Sequence, residues 1–367
     1  MQKKSILIGL IATVVIAASA TFLYYYAPFT SGPEDTPRLS VSEKLRKENA
    51  YFMRGSELLL SGDETEKEKA GELFEQSLRY VKTPFEEALV KYYLAFTKLE
   101  SDPARAIGIF KEIAANPTYP SGIKAYSVQQ MGLLFYFLNS SEVTRLIATD
   151  EPYQSFFKEG DILLGYRRLF EYASSFKPLA ISESYSSMWY VDKMLKYSKL
   201  KTLTPAQEAD FELMKTTVKT RIENANEDIA ATRNTDAAVF IPLALAKNAT
   251  HIGFLYRVGD KSYGDPEKYF KEAILEGSIS KGGDGLARYA YAYFLAEVYG
   301  KERVADITSQ LAVLYQNEDT YPGFSYLFNN ERQNIVGIKT EMILMASLSP
   351  DFKTYLKSKG WTDEDFK

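Results

Sequence analysis

The chain of 367 residues has no cysteine and a single histidine, His251. Disulfides, thiolate metal sites, thiol nucleophiles and histidine-based triads are therefore excluded. Neither sign of charge dominates: 44 Lys and Arg stand against 48 Asp and Glu, a net charge of −4. Lys3 and Lys4 precede the first acid, so the rest of the chain is slightly more acidic still. That leaves no electrostatic footprint for nucleic acid. Runs of alternating β-branched residues bounded by hairpin turns are missing after Ser40. Metalloprotease, zinc-finger and G-x-S-x-G patterns are missing too. With 46% hydrophobic and 25% charged residues the chain is neither disordered nor collagen-like. We expect no catalytic, cofactor-binding or metal-ligating residues, and no cofactor.

What the chain does have begins with an uncharged stretch from Ser5 to Pro33. Crossing about 30 Å of hydrocarbon takes about 20 helical residues, which Ser5 to Tyr25 supplies. Tyr24, Tyr25 and Tyr26 stand where an interfacial aromatic belt belongs, and Pro28 ends the helix. Lys3 and Lys4 favour a cytoplasmic N-terminus, which puts the bulk of the chain outside the cytoplasm. A cleaved signal peptide is the competing reading, because Ala18-Ser19-Ala20 fits the small-residue cleavage pattern. Cleavage there would leave Thr21 to Tyr26 as an apolar new terminus, so a retained anchor over residues 5–26 is preferred. Either way the same domain is exported. A short polar linker with two prolines, Thr30 to Pro37, follows.

Beyond the linker one helix-start device recurs: a capping residue, then proline at the first helical position, where its missing N–H would be unpaired anyway. Thr83-Pro84, Asp102-Pro103, Thr204-Pro205, Asp265-Pro266 and Ser349-Pro350 share it. Glu86 and Gln207 complete capping boxes. Between these starts apolar residues recur at three- and four-residue intervals. Examples are Ala287, Ala290, Tyr291 and Phe294, or Leu163, Tyr166, Leu169 and Phe170. Gly253 would let a neighbouring helix approach closely. From Thr204 to Asn234 the series Phe211, Met214, Val218, Ile222, Ala225, Ile229 has no breaker. It predicts a helix of about 30 residues, near 45 Å long. That helix packs on its neighbours; a homodimeric coiled coil is the alternative.

Ala70-x3-Phe74-x2-Ser77 and Ala106-x3-Phe110-x2-Ile113 stand about 36 residues apart, each followed by proline and each preceded by a first-helix seed, Gly55 with Leu58 or Leu94-Ala95. This resembles the tetratricopeptide repeat family. The resemblance covers roughly residues 42–118 and, in part, 236–317. There Gly253, Tyr256, Phe270 and Ala273 form one candidate repeat. Leu295-Ala296 with Ala305, Ser309 and Ala312 form another. Residue 113 departs from the small residue the pattern wants. The expected fold is all-α: an α-solenoid of tetratricopeptide-like helix pairs preceded by a single transmembrane helix. The expected organisation is an anchor at 1–27, a linker at 28–39, helical repeats at 40–200, a long helix at 201–235 and further repeats at 236–367.

His251, without a second histidine nearby, reads as a packed or capping side chain. Carboxylate pairs could be drawn from Glu183 near Trp189 or from Glu86-Glu87, but nothing singles them out. The glycine-rich loop Gly277 to Gly285 lacks the Gly-Lys-Ser/Thr end of a phosphate loop and no strand precedes it. Asn139 and Asn248 sit in Asn-x-Ser/Thr triplets. The 27 tyrosines and 22 phenylalanines cluster at Tyr92-Tyr93, Phe135 to Phe137, Tyr185 to Tyr190 and Tyr289 to Phe294. Most are expected between helices, and some could line a groove. The function expected is a non-enzymatic, membrane-tethered, extracytoplasmic scaffold for a protein or peptide partner in the cell envelope. A polysaccharide-binding or carboxylate-based glycan-active protein is the rival, with glycan as partner. Homodimerisation stays open.

Overall fold

The structure, a computed structural model, describes residues 41–61, 64–99, 101–137, 140–233, 241–279, 282–321, 324, 328 and 338–366. The expected anchor at 5–26 lies outside them. Among the described residues no strand occurs, and no helix is long and apolar enough to cross a membrane. The fold is all-α, built largely from helices packed in pairs.

The chain divides into two compact units, one of residues up to 189 with 223–239, the other of 190–222 with 240–367. The first unit contains α1 (Val41–Glu48), α2 (Ala50–Ser61), α3 (Glu64–Ser77), α4 (Pro84–Lys98), α5 (Pro103–Ala115), α6 (Ser121–Phe137), α7 (Ser140–Ile147), α8 (Tyr153–Phe156) and α9 (Ile162–Phe176). Two helices, α10 (Ala180–Ser198) and α11 (Pro205–Thr232), contribute residues to both units. The second unit adds α12 (Ile241–Arg257), α13 (Glu267–Gly277), α14 (Gly285–Val298), α15 (Val304–Tyr315), α16 (Ile338–Leu348) and α17 (Pro350–Ser358).

The proline starts act much as their chemistry requires. Thr204 and Gln207 form a reciprocal box: the Gln207 N–H donates to Thr204 Oγ1 at 3.3 Å and the Thr204 N–H to Gln207 Oε1 at 2.9 Å. Asp102 accepts from the Arg105 N–H at 3.0 Å. Thr83 accepts from the Glu86 N–H, but Glu86 reaches one residue further back than a simple box, to the Lys82 N–H at 2.6 Å. Helix α13 begins one residue later than expected, at Glu267, whose N–H donates to Asp265 at 3.0 Å.

In the first unit α2 pairs with α3 and α4 with α5. Ala70, Phe74 and Ser77 are buried on α3, and Ala106, Phe110 and Ile113 on α5. Gly55 explains the close approach of α2 to α3: a Cβ there would meet the Phe74 ring at 3.0 Å. Phe52, Phe74 and Tyr93 form a ring triangle with centroids 5.1–5.7 Å apart. The buried Asn49 ties the pair together, donating to the Ser77 carbonyl and hydroxyl while accepting from the Phe52 N–H. On α11, Met214, Val218, Ile222, Ala225 and Ile229 are buried within the single chain, so the seam that could have served a coiled coil is already covered.

In the second unit α12, α14 and α16 pack successively side by side, α13 pairs with α12 and α14, and α15 and α17 complete the other layer. Gly253 sits at a close approach, where a Cβ would meet Phe294 at 2.9 Å and Phe270 at 3.3 Å. One expected face is offset. Ala305 and Ser309 of α15 are exposed; Ile307, Leu311 and Leu314 are its buried residues. The larger apolar side chains take the core, because burying a leucine or isoleucine gains more than burying alanine or serine.

Candidate binding face

Lys247 is the only charged side chain between Ile241 and Tyr256. It lies one helical turn before His251, so both belong to one side of α12. On α14 Tyr289, Tyr293 and Glu297 succeed one another at four-residue intervals and share a side in the same way. Glu341 comes from α16. These three helices are the ones that pack side by side, and polar bonds cross between them. The Tyr289 phenol donates to Glu341 Oε2 at 2.9 Å. The Tyr293 phenol donates to Glu297 Oε1 at 3.0 Å, and Arg257 Nη1 of α12 pairs with Glu297 Oε2 at 2.5 Å.

The electrostatics of this face are unusual for a helical array. Burial draws the half-buried Lys247 ammonium down to about 8, against the opposing pull of the Glu341 carboxylate. Burial raises Glu341, while the Tyr289 hydrogen bond and Lys247 oppose the rise. Burial, helped by the Lys247 charge, lowers His251 to about 3, so its imidazole is neutral at ordinary pH. His251 is only 3% exposed, and its Nδ1 has no hydrogen-bond partner among the described residues. An unfilled buried polar atom is costly, and such atoms are few in folded proteins. Lys247, Tyr293, Glu297 and Glu341 are half-buried at this face, and His251 and Tyr289 lie buried beneath it.

Sequence reasoning placed His251 as a packed side chain, and it is packed. It missed Lys247 beside it, although a lone charge in an apolar helix was a visible signal. Asn248 is only 3% exposed, which argues against a modification site there; Asn139 lies outside the described residues. Glu86 serves as a cap and Glu87 pairs with Lys91 at 2.8 Å. Glu183 and Trp189 are not brought together. Glu183 is buried and accepts from Asn224 at 3.3 Å, whereas the Trp189 N–H donates to Asp161 at 3.3 Å and Arg167 lies 4.4 Å over its ring. The acid near Glu183 is Asp228, raised chiefly by burial, which accepts the Ala180 N–H at 2.9 Å and so caps α10. This part of α10 is structural on a second side too: Ser182 donates to Gln129 of α6 at 2.9 Å. Among the described residues no group of acids and histidine could hold a metal ion.

The aromatic clusters divide as well. Tyr92, Tyr93, Tyr185, Tyr291 and Phe294 are buried between helices, while Tyr293 is half-buried on the polar face. The side chains of 135–137 lie outside the described residues. A cleft of about 480 Å³ in the first unit lies between α5 and the turn after α7. Its one lysine is engaged: Lys111 Nζ donates to Thr149 at 2.7 Å, pairs with Asp150 and lies 5.0 Å over the Tyr153 ring.

No protein-family model matches the chain, and no curated protein matches it.

Proposed function

We propose that the chain is a tetratricopeptide-like helical scaffold, tethered by its N-terminal apolar segment and exported, that binds a protein or peptide partner of the cell envelope rather than catalysing a reaction. The observation carrying this reading is the shared face of α12, α14 and α16. Such side-by-side first helices form the extended concave surface of helical repeat arrays. Here that surface carries the half-buried Lys247, Tyr293 and Glu341, with the unfilled His251 nitrogen and Tyr289 buried beneath them. Phenols give rigid contact area at low entropic cost, and the amine and carboxylates suit the mixed donors and acceptors of a peptide.

A glycan-active reading has one observation in its favour, the neighbouring acids Glu183, buried, and Asp228, half-buried. Its two acids are engaged in an interhelical bond and a helix cap, so we rank it second. Affinity capture of the full chain from envelope extract, run in parallel with retention on peptidoglycan, separates the two. A captured protein that is lost on Tyr293→Ala, with the helical circular dichroism unchanged, supports the scaffold. Retention on glycan alone, or hydrolysis abolished by Asp228→Asn, overturns it.

A further inference from the structure

One surface feature in the first unit plays no part in the binding face. Tyr51 of α2 and Tyr80, in the single turn that closes α3, stack on each other with ring centroids 5.4 Å apart and planes at 22°. Both are exposed, at 36% and 55%. A stacked pair of aromatic rings left open to solvent is uncommon in a chain that buries most of its other rings. Its surroundings are cationic. Lys44, Lys47, Tyr51 and Arg54 are all exposed and recur at intervals of three, four and three residues, which puts them along one side of the α1–α2 rod. The backbone bonds Asn49 N–H to Leu45 O and Met53 N–H to Asn49 O carry the rod across the junction between the two helices. Arg79 adjoins Tyr80 in the chain and is exposed as well. Two acids close by are paired, Glu48 with Lys82 at 2.7 Å and Glu57 with Arg54 at 2.9 Å, and Lys44, Lys47 and Arg79 outnumber the neighbouring Glu43. This end is locally basic in a chain that is acidic overall.

Position in the chain indicates what covers the patch. The stripe opens at Lys44, fewer than twenty residues after the apolar segment that ends at Tyr26. A linker of that length spans at most about 65 Å when fully extended, and its root-mean-square span is nearer 20 Å. The patch is therefore held near any bilayer that takes up residues 5–26. Tyrosine rings favour the headgroup level of a membrane, and lysine and arginine lay their stems along it with the charge at the phosphates. We propose that the Tyr51–Tyr80 pair and its cationic stripe form a seat on the headgroup region of an anionic bilayer, fixing the first helix pair against the membrane. This rests on the anchor reading of residues 5–26, and on neither choice of membrane side.

The absence of cysteine makes a direct test available. Full-length chain carrying Tyr80→Cys is labelled with a polarity-sensitive fluorophore and reconstituted into phosphatidylcholine vesicles with or without phosphatidylglycerol. Leu275→Cys, at another exposed site, serves as reference, and Tyr51→Cys repeats the measurement from the other ring. Vesicle flotation reports the anchor separately. The expected result is flotation in every case. In anionic vesicles only, the label at 80 shifts to the blue and is quenched several-fold less by acrylamide than the label at 275. The protection should weaken in 1 M salt, where screening reaches about 3 Å, and on Lys44→Gln/Lys47→Gln, since each cation near an anionic surface favours contact roughly fivefold. Flotation with equal quenching at 80 and 275 overturns the seat alone. Protection independent of lipid charge and salt overturns it in favour of a protein covering. Failure to float overturns the anchor reading and the seat together.

Discussion

The Tyr289 hydroxyl of α14 donates to the Glu341 carboxylate of α16 at 2.9 Å, across 52 positions of sequence. Burial raises Glu341, and this bond is the principal interaction holding its charged form. Tyr289→Phe should therefore destabilise the second unit by about 1.5–3 kcal/mol, the usual worth of a hydrogen bond to a charged group. Glu341→Gln in the same chain should recover part of the loss, because the deprived acceptor is no longer charged. Chemical denaturation of the two single variants and the double variant measures the coupling.

His251 titrates near 3 in the fold and near 6.5 when unfolded. Between these values the unfolded chain binds a proton that the folded chain does not. Stability should therefore fall as the pH drops from about 6.5 towards 3. In His251→Gln the slope between pH 6.5 and 5 should flatten, since the carboxylates titrate mainly below that window. Denaturant midpoints across this range test it.

Glu267 shifts in the same direction for a different reason: its charged form is held by partners, whereas that of His251 is disfavoured by burial. Arg303 grips both its oxygens, at 2.7 and 3.2 Å, and Tyr291 donates to it at 2.5 Å. With Arg303 as chief cause its carboxyl is lowered to about 2. Its contribution is complete above about 4.5 and is lost as the pH falls through about 2. Glu267→Gln should cost about 2–3 kcal/mol at pH 7 and much less at pH 2. Comparing unfolding at the two pH values checks the sign.

Phe74→Ala and Phe110→Ala should each cost about 3–5 kcal/mol, as buried phenylalanines without room to collapse. Gly253→Ala should cost about 1–3 kcal/mol by overpacking Phe294 and Phe270. A neutral Gly253→Ala in thermal unfolding would mean that α12 and α14 can separate without loss.

The proposed tether makes a biochemical prediction. Membrane-associated protein should begin near Met1, and protease added to the outer side should cleave beyond Arg38. A mature N-terminus at Thr21 would replace the anchor by a cleaved signal, and cleavage only from the cytoplasmic side would remove export.

The all-α class was legible because it depends on local rules. Proline after a capping residue marks a helix start wherever it occurs, and the 3–4 spacing of Met214, Val218, Ile222, Ala225 and Ile229 names the buried side of α11. Ala70, Phe74, Ser77, Ala106, Phe110 and Gly253 were readable for the same reason: small and aromatic residues at helical spacing describe a close helix contact. Where two registers on one helix were both plausible, the sequence did not choose. On α15 the packing selected Ile307, Leu311 and Leu314 over Ala305 and Ser309, because only the neighbouring helices define which side has volume to fill. The polar face was decided by tertiary structure. Lys247, Tyr289 and Glu341 lie on three separate helices, and their protonation depends on mutual distance and burial, which exist only once α12, α14 and α16 stand side by side.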